Sequence, residues 1–170
     1  MTNRKSEIED QEPDEGFVAE MVSIFGYMIG VSYPVLAFST GVRALYQLFL
    51  KEGITNYMPP ILSGVAALCY IIASVGFFHR KKWSWRVSLL ALVVEMVFAL
   101  VVGVLSFTTP DMIGRTVWAK FGIDYGFFPF IQPLLGIIWL TWTQTLKEYG
   151  LIPKEAMMSW GDALKQAIKN

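Results

Sequence analysis

Four long windows of this chain carry almost no charge: Met21 to Val42, Ile54 to Phe78, Val87 to Phe107 and Tyr125 to Leu146. Only the third is interrupted, by Glu95. Each window supplies the ~20 residues that a helix needs to cross a ~30 Å hydrocarbon core. Period-two alternation is absent, and bare backbone in lipid must be hydrogen-bonded within its own segment, so no strand reading competes. The fold class is therefore all-α: a four-helix transmembrane bundle with spans at about 21–42, 61–78, 87–107 and 125–146. Pro59 and Pro60 move the expected start of the second helix to Ile61. Pro34 is expected to kink the first span or loosen a turn of it, and Pro129 and Pro133 fall in the first half of the fourth.

Charged residues make up 16% of the 170 residues, against about 25% in soluble domains. The deficit is concentrated in the four windows, the distribution of a membrane protein rather than of an apolar soluble core. Outside them the chain divides into residues 1–16, a tail rich in Glu and Asp that is expected to be disordered and cytoplasmic; residues 17–149, the membrane domain; and residues 150–170, a cytoplasmic amphipathic tail. The N-terminal tail does not read as a secretory signal, because Arg4 and Lys5 lead into acids and not into an apolar stretch.

Orientation follows from Lys and Arg. The link between spans two and three reads His79-Arg80-Lys81-Lys82-Trp83-Ser84-Trp85-Arg86. In a four-span chain this link shares a side with both termini, and together they hold ten of the 14 basic residues. That side is expected to be the cytoplasm, with Trp83 and Trp85 in an interfacial aromatic belt. Small residues suggest how helices meet: Gly26 and Gly30 on span one, and Ala99 and Gly103 on span three, are four apart, a spacing that favours close pairing of helices.

Glu95 is the candidate for chemistry. It lies about 12 Å from the basic edge of span three at 1.5 Å per residue, near mid-bilayer. A charge there is expensive, so Glu95 is expected to face the interior and to be protonated or partnered. The same depth arithmetic brings Tyr70, Tyr33 and Ser32 to its level and leaves Arg43 at the outer edge, out of reach. Glu95 is then either a proton or cation site or a neutral acid that fixes packing. The link between spans three and four holds Asp111, Arg115, Trp118 and Asp124, the makings of an extracytoplasmic cap. After Pro153, the residues Met157, Trp160, Leu164 and Ile168 recur at helical spacing. They predict an amphipathic helix from about Lys154 to Ile168 lying on the cytoplasmic interface or on a partner.

Other classes lose their support. One cysteine, Cys69, and one histidine, His79, cannot supply a dithiol, a structural zinc set or a bis-histidine haem. No cofactor and no metal is expected. No nucleophile elbow, zincin or P-loop motif is present, so the chain reads as non-enzymatic. Zero net charge offers no basic field for nucleic acid. The partners expected are the lipid bilayer and either a second membrane protein or further copies of this chain.

The stretch Thr116-Val117-Trp118-Ala119-Lys120-Phe121-Gly122-Ile123-Asp124-Tyr125-Gly126-Phe127-Phe128-Pro129, followed by Gln132-Pro133-Leu134-Leu135-Gly136-Ile137-Ile138-Trp139-Leu140, resembles a pattern in uncharacterised four-span integral membrane proteins of actinobacteria. The resemblance extends from about Trp83 to Leu140 and takes in Glu95 and the Pro110-Asp111 pair. It implies a bacterial cytoplasmic membrane and no particular activity. The function expected is that of an accessory or scaffold subunit of a membrane or envelope complex. The alternative is a small proton-coupled transporter working through Glu95.

Overall fold

The computed structural model describes residues 15–169; the expected disordered tail, residues 1–16, therefore lies almost wholly outside the described residues. Among the described residues the chain is helical, without strands. Helix α1 spans Glu15–Leu45 and runs on into a π-helical turn, Tyr46–Leu50. Helices α2 (Met58–His79) and α3 (Lys82–Thr108) form a tight antiparallel pair, turned by Arg80 in the left-handed region. A short helix α4 (Pro110–Ile113) and a 3-10 segment (Ala119–Tyr125) follow. Helices α5 (Phe128–Thr141), α6 (Thr143–Glu148) and α7 (Trp160–Lys169) complete the chain. Helix α1 packs on α2, α2 on α3, and α3 on α5.

Three helical segments are long and apolar enough to cross a membrane: Gly16–Leu50, Met58–His79 and Lys82–Thr108. The chain is thus a multi-pass membrane protein. A fourth crossing exists only if the 3-10 segment and α5, bent by 100° relative to each other, count as one span.

The expected continuous fourth helix from Tyr125 to Leu146 is corrected. Gly126 and Phe127 adopt left-handed conformations, and Trp142 is extended, at ψ 140°. Helix α5 is left with 14 residues, or about 21 Å. Hydropathy averaged over the window conceals both breaks. Pro129 sits in the first helical turn, where its missing N–H has no helical partner to lose.

The break at Trp142 would strand carbonyls in an apolar setting, and both local groups and distant side chains meet them. Thr141 Oγ1 donates to Ile137 O at 2.9 Å and to Ile138 O at 3.1 Å. The Trp142 backbone N–H donates to Trp139 O at 3.1 Å. The indole N–H of Trp85 donates to Leu140 O, and that of Trp160 to Thr141 O, both at 2.9 Å. Trp85 is therefore no belt residue: it is buried in the first turn of α3, while Trp83 is exposed.

The start of α2 also moves, to Met58. Asn56 Oδ1 accepts the Met58 backbone N–H at 2.9 Å, and Pro59 and Pro60 occupy the first turn, where prolines are tolerated. Helix α1 continues through Pro34.

The small residues four apart, Gly26 and Gly30 on α1 and Ala99 and Gly103 on α3, do not act uniformly as the expected close-pairing sites. A Cβ at Gly26 would stand 2.0 Å from the Trp139 ring, and one at Gly103 would stand 2.4 Å from Phe121. These glycines make room for aromatic rings, not for a second backbone. Ala99 is fully buried. Backbones approach closely elsewhere. A Cβ at Gly76 would meet Ser88 Oγ at 1.4 Å and Ser84 O at 2.8 Å, and Gly41 and Gly64 of α1 and α2 face Ala67 and Ala44.

The division at residue 149 is corrected as well. Tyr149, Leu151 and Ile152 are buried in the core. The Tyr149 hydroxyl donates to Gly76 O at 3.0 Å, and burial raises its phenol above the usual value, which keeps it a donor. The tail helix begins at Trp160 and not at Lys154, and Met157 precedes it, almost fully exposed. Helix α7 packs on α6, and its buried residues are Ala163 and Ala167. Of the expected stripe, Leu164 is half-buried, while Trp160 and Ile168 stay exposed. The apolar face of α7 is wider than the stripe, and its alanine flank is the one that docks.

Trp139 is held by its N–H bond to Val22 O at 2.8 Å and by Phe77 and Tyr149. It cannot yield easily. Gly26→Ala should therefore destabilise the detergent-solubilised protein by about 1–3 kcal/mol. Gly30→Ala should be tolerated, since its nearest neighbour would be Phe77 Cβ at an ordinary 3.5 Å. Thermal unfolding of the two variants checks this; equal losses would restore a paired G-x-x-x-G interface.

Candidate intramembrane site

Glu95 lies on the buried face of α3 and is 0% exposed. Helices α3 and α5 run antiparallel, and Gly136 packs against Leu92: a Cβ there would stand 2.9 Å from Leu92 Cδ1. One turn further toward the capped end, Glu95 on α3 and Gln132 on α5 fall at the same level. Helix α1 brings Ser32 and Tyr33 to this level, because Gln132 Nε2 donates to Ser32 Oγ at 2.8 Å. Helix α2 brings Tyr70, whose ring meets Tyr33 edge-on with centroids 5.8 Å apart. Tyr33, Tyr70 and Cys69 all lie within electrostatic reach of Glu95. Four helices thus contribute to one polar layer.

The layer is closed on both sides. Toward the basic end, Phe77 stacks on Tyr33 at 5.3 Å and touches the Gly136 position, with Leu92 beside it. Toward the other end, Trp118 is wholly buried and stacks on Phe98, one turn beyond Glu95, at 5.3 Å. Between α1 and α5 a groove of about 480 Å³, lined by Tyr27, Met28, Val31, Ser32, Val35, Leu36 and Phe128, comes as far as Ser32.

Hydrogen bonding inside the layer is incomplete. Ser32 is satisfied: it donates to Ile29 O at 2.6 Å and accepts from Gln132. Both carboxyl oxygens of Glu95, the hydroxyls of Tyr33 and Tyr70, and Oε1 of Gln132 are buried without a hydrogen-bond partner among the described residues. Arg43 does not serve Glu95; its Nη1 donates to the Tyr125 hydroxyl near the cap. Comparison with protein-family models, curated proteins and solved structures finds no match.

The expected cap residues separate into two kinds. Arg115 and Asp124 form an exposed ion pair at 3.4 Å. Trp118 belongs to the core. Asp111 takes part through its backbone: Asn56 Nδ2 donates to Asp111 O at 3.0 Å and to Met112 O at 2.8 Å. The 3-10 segment crosses the end of α3, with the Lys120 N–H donating to Ser106 Oγ at 2.7 Å and the Phe121 ring on Gly103. Lys120 and Phe121 are left-handed there. No group of three or more His, Cys, Asp or Glu able to hold a metal occurs among the described residues.

Two residues escaped the sequence reading. Gln132 is an amide inside an apolar window, and a polar residue in a span faces the interior for the same reason as Glu95. Asn56, two residues ahead of Met58-Pro59, carries the signature of a turn that starts a helix. Asn56 ties the α1–α2 link to α4 and accepts the Met58 N–H at the head of α2, so Asn56→Ala should cost about 1–3 kcal/mol. Arg115→Ala, which breaks only an exposed pair, should change stability by less than about 1 kcal/mol. Denaturation of both variants in one detergent decides; a larger loss for Arg115→Ala would place the strength of the cap in its ion pair.

Proposed function

We propose that this chain is a four-span protein of a bacterial cytoplasmic membrane, with both termini inside, that serves as a non-enzymatic accessory or scaffold subunit of a membrane or envelope complex. The bent fourth segment completes the last crossing, and the basic end, with Arg80, Lys81, Lys82 and α7, faces the cytoplasm. One observation carries the subunit reading. Helix α7 is held against the basic end by Ala163, Ala167 and the Trp160 indole, yet leaves Trp160 and Ile168 exposed beside Lys165 and Lys169. A short helix ordered by docking, with an apolar edge still open, presents a surface at the membrane boundary. Lipid headgroups attract such lysines by about 1 kcal/mol each, and a partner at the interface can use the same edge.

Topology is tested with Cys69→Ser as background, impermeant thiol reagents and intact cells. Cysteine introduced as Lys82→Cys should stay unlabelled and as Thr109→Cys should label; the reverse pattern would invert the assignment. The subunit role is tested by purification in mild detergent and mass spectrometry. A stoichiometric partner should accompany the full chain. Deleting residues 157–170, which spares buried Leu151 and Ile152, should release that partner while the bundle stays inserted. Purification of the full chain alone would refute the role.

A further inference from the structure

The polar layer holds oxygens that its own donors do not reach. Five atoms from four helices are buried there without a hydrogen-bond partner among the described residues: Oε1 and Oε2 of Glu95, the hydroxyl oxygens of Tyr33 and Tyr70, and Oε1 of Gln132. In a hydrocarbon setting each unsatisfied group is costly, and burial in such number is not what packing alone selects. A carboxylic acid used only as a packing bond would spend its O–H on a neighbour. Here the groups of the layer that could accept, Gln132 Oε1 and the two phenols, make no hydrogen bond to Glu95. The Gln132 amide is oriented by its bond to Ser32, which leaves its carbonyl oxygen free in the layer.

The charges are as informative as the bonds. Helix α1 presents Ser32 and Tyr33 to the layer, α2 presents Cys69 and Tyr70, α3 presents Glu95, and α5 presents Gln132. Trp118 closes it with an indole N–H that is also without a partner. None of these residues carries positive charge. Arg43, the cation that charge alone would suggest as a partner, is engaged with Tyr125. One carboxylate surrounded by neutral oxygens matches one positive charge. A divalent ion would remain half-neutralised in a low-dielectric interior.

We infer that Tyr33, Tyr70, Glu95 and Gln132 form a binding site for a single monovalent cation, either a proton taken by the Glu95 carboxylate or an alkali-metal ion held by these oxygens. The two cases share their chemistry, a hard unit charge that oxygen ligands accept. The site goes beyond the subunit role and does not require that the charge crosses the membrane. Exchange needs movement of one of the closing contacts, Trp118 on Phe98, Phe77 on Tyr33, or Gln132 on Ser32.

Infrared difference spectroscopy on the full chain in lipid nanodiscs reads the site directly. Samples are titrated from acid to alkaline pH in sodium salt and again in choline salt, with ¹³C-labelled glutamate to identify the carboxyl. A carboxylic-acid carbonyl band, absent in Glu95→Gln, should disappear as pH rises. If it does so at the same midpoint in both salts, the ligand is the proton; if sodium lowers the midpoint, an alkali ion competes for the site. Tyr33→Phe and Tyr70→Phe keep the ring packing, so these variants should fold even if Glu95→Gln does not. Each should move the midpoint by about one pH unit, a tenfold change in affinity. A glutamate band that persists unchanged over the whole range in both salts would make Glu95 a permanent packing acid. Absence of the band throughout, insensitive to sodium, or an identical midpoint in the wild type and both tyrosine variants, would equally overturn the site.

Discussion

Satisfaction of the carbonyls freed at Trp142 is the constraint on which the rest of the structure depends. A helix end in an apolar setting must find donors inside the protein. Here the donors come from three places in the chain: Thr141 itself, Trp85 at the start of α3 and Trp160 at the start of α7. The two indoles bring distant segments to one point. Trp85 fixes the depth of α3 against α5, and Trp160 fixes α7 beneath them. Trp139 to Val22 O and Tyr149 to Gly76 O extend the same device to α1 and α2. Long aromatic donors thus bolt the basic end together, each reaching a backbone acceptor on another helix.

The register imposed there propagates upward. With Trp139 seated on Gly26 and Leu92 on Gly136, two turns along α1 from Gly26 and one turn along α3 and α5 from Leu92 and Gly136 bring Tyr33, Glu95 and Gln132 level, and the Tyr33 ring meets Tyr70 of α2. The polar layer is in this sense a consequence of the aromatic clamp below it and of Trp118 above it. Its members lie far apart in the chain, and a shift of one residue in α5 would turn Gln132 away from it. The large rings occupy the space over glycines, while the seams between backbones rely on Gly41, Gly64 and Gly76.

Much of the architecture was legible because hydropathy is additive along a chain. Long charge-free windows predict crossings whatever their neighbours are, and three of them correspond to helices that can span. The same additivity hid the failure of the fourth, since left-handed Gly126 and Phe127 and an extended Trp142 cost an average nothing. In the tail a helix forms from Trp160 to Lys169, later than the Lys154 start that the apolar spacing predicts. A helical wheel shows that Trp160, Leu164 and Ile168 share an apolar side with Ala163 and Ala167, but the smaller residues pack closest, and only the shape of α6 selects them.

The sequence by itself determined the all-helical, membrane-borne character of the protein and the interior direction of Glu95, because both follow from the cost of placing charge and bare backbone in hydrocarbon. Tertiary structure alone decided which polar groups would face Glu95, where the last long helix would break, and which tryptophans would be buried. Those outcomes rest on distances between residues as far apart as Ser32 and Gln132 or Trp85 and Leu140. Such distances depend on how rings fill glycine notches and which carbonyls lack a donor, quantities that exist only after the helices have met.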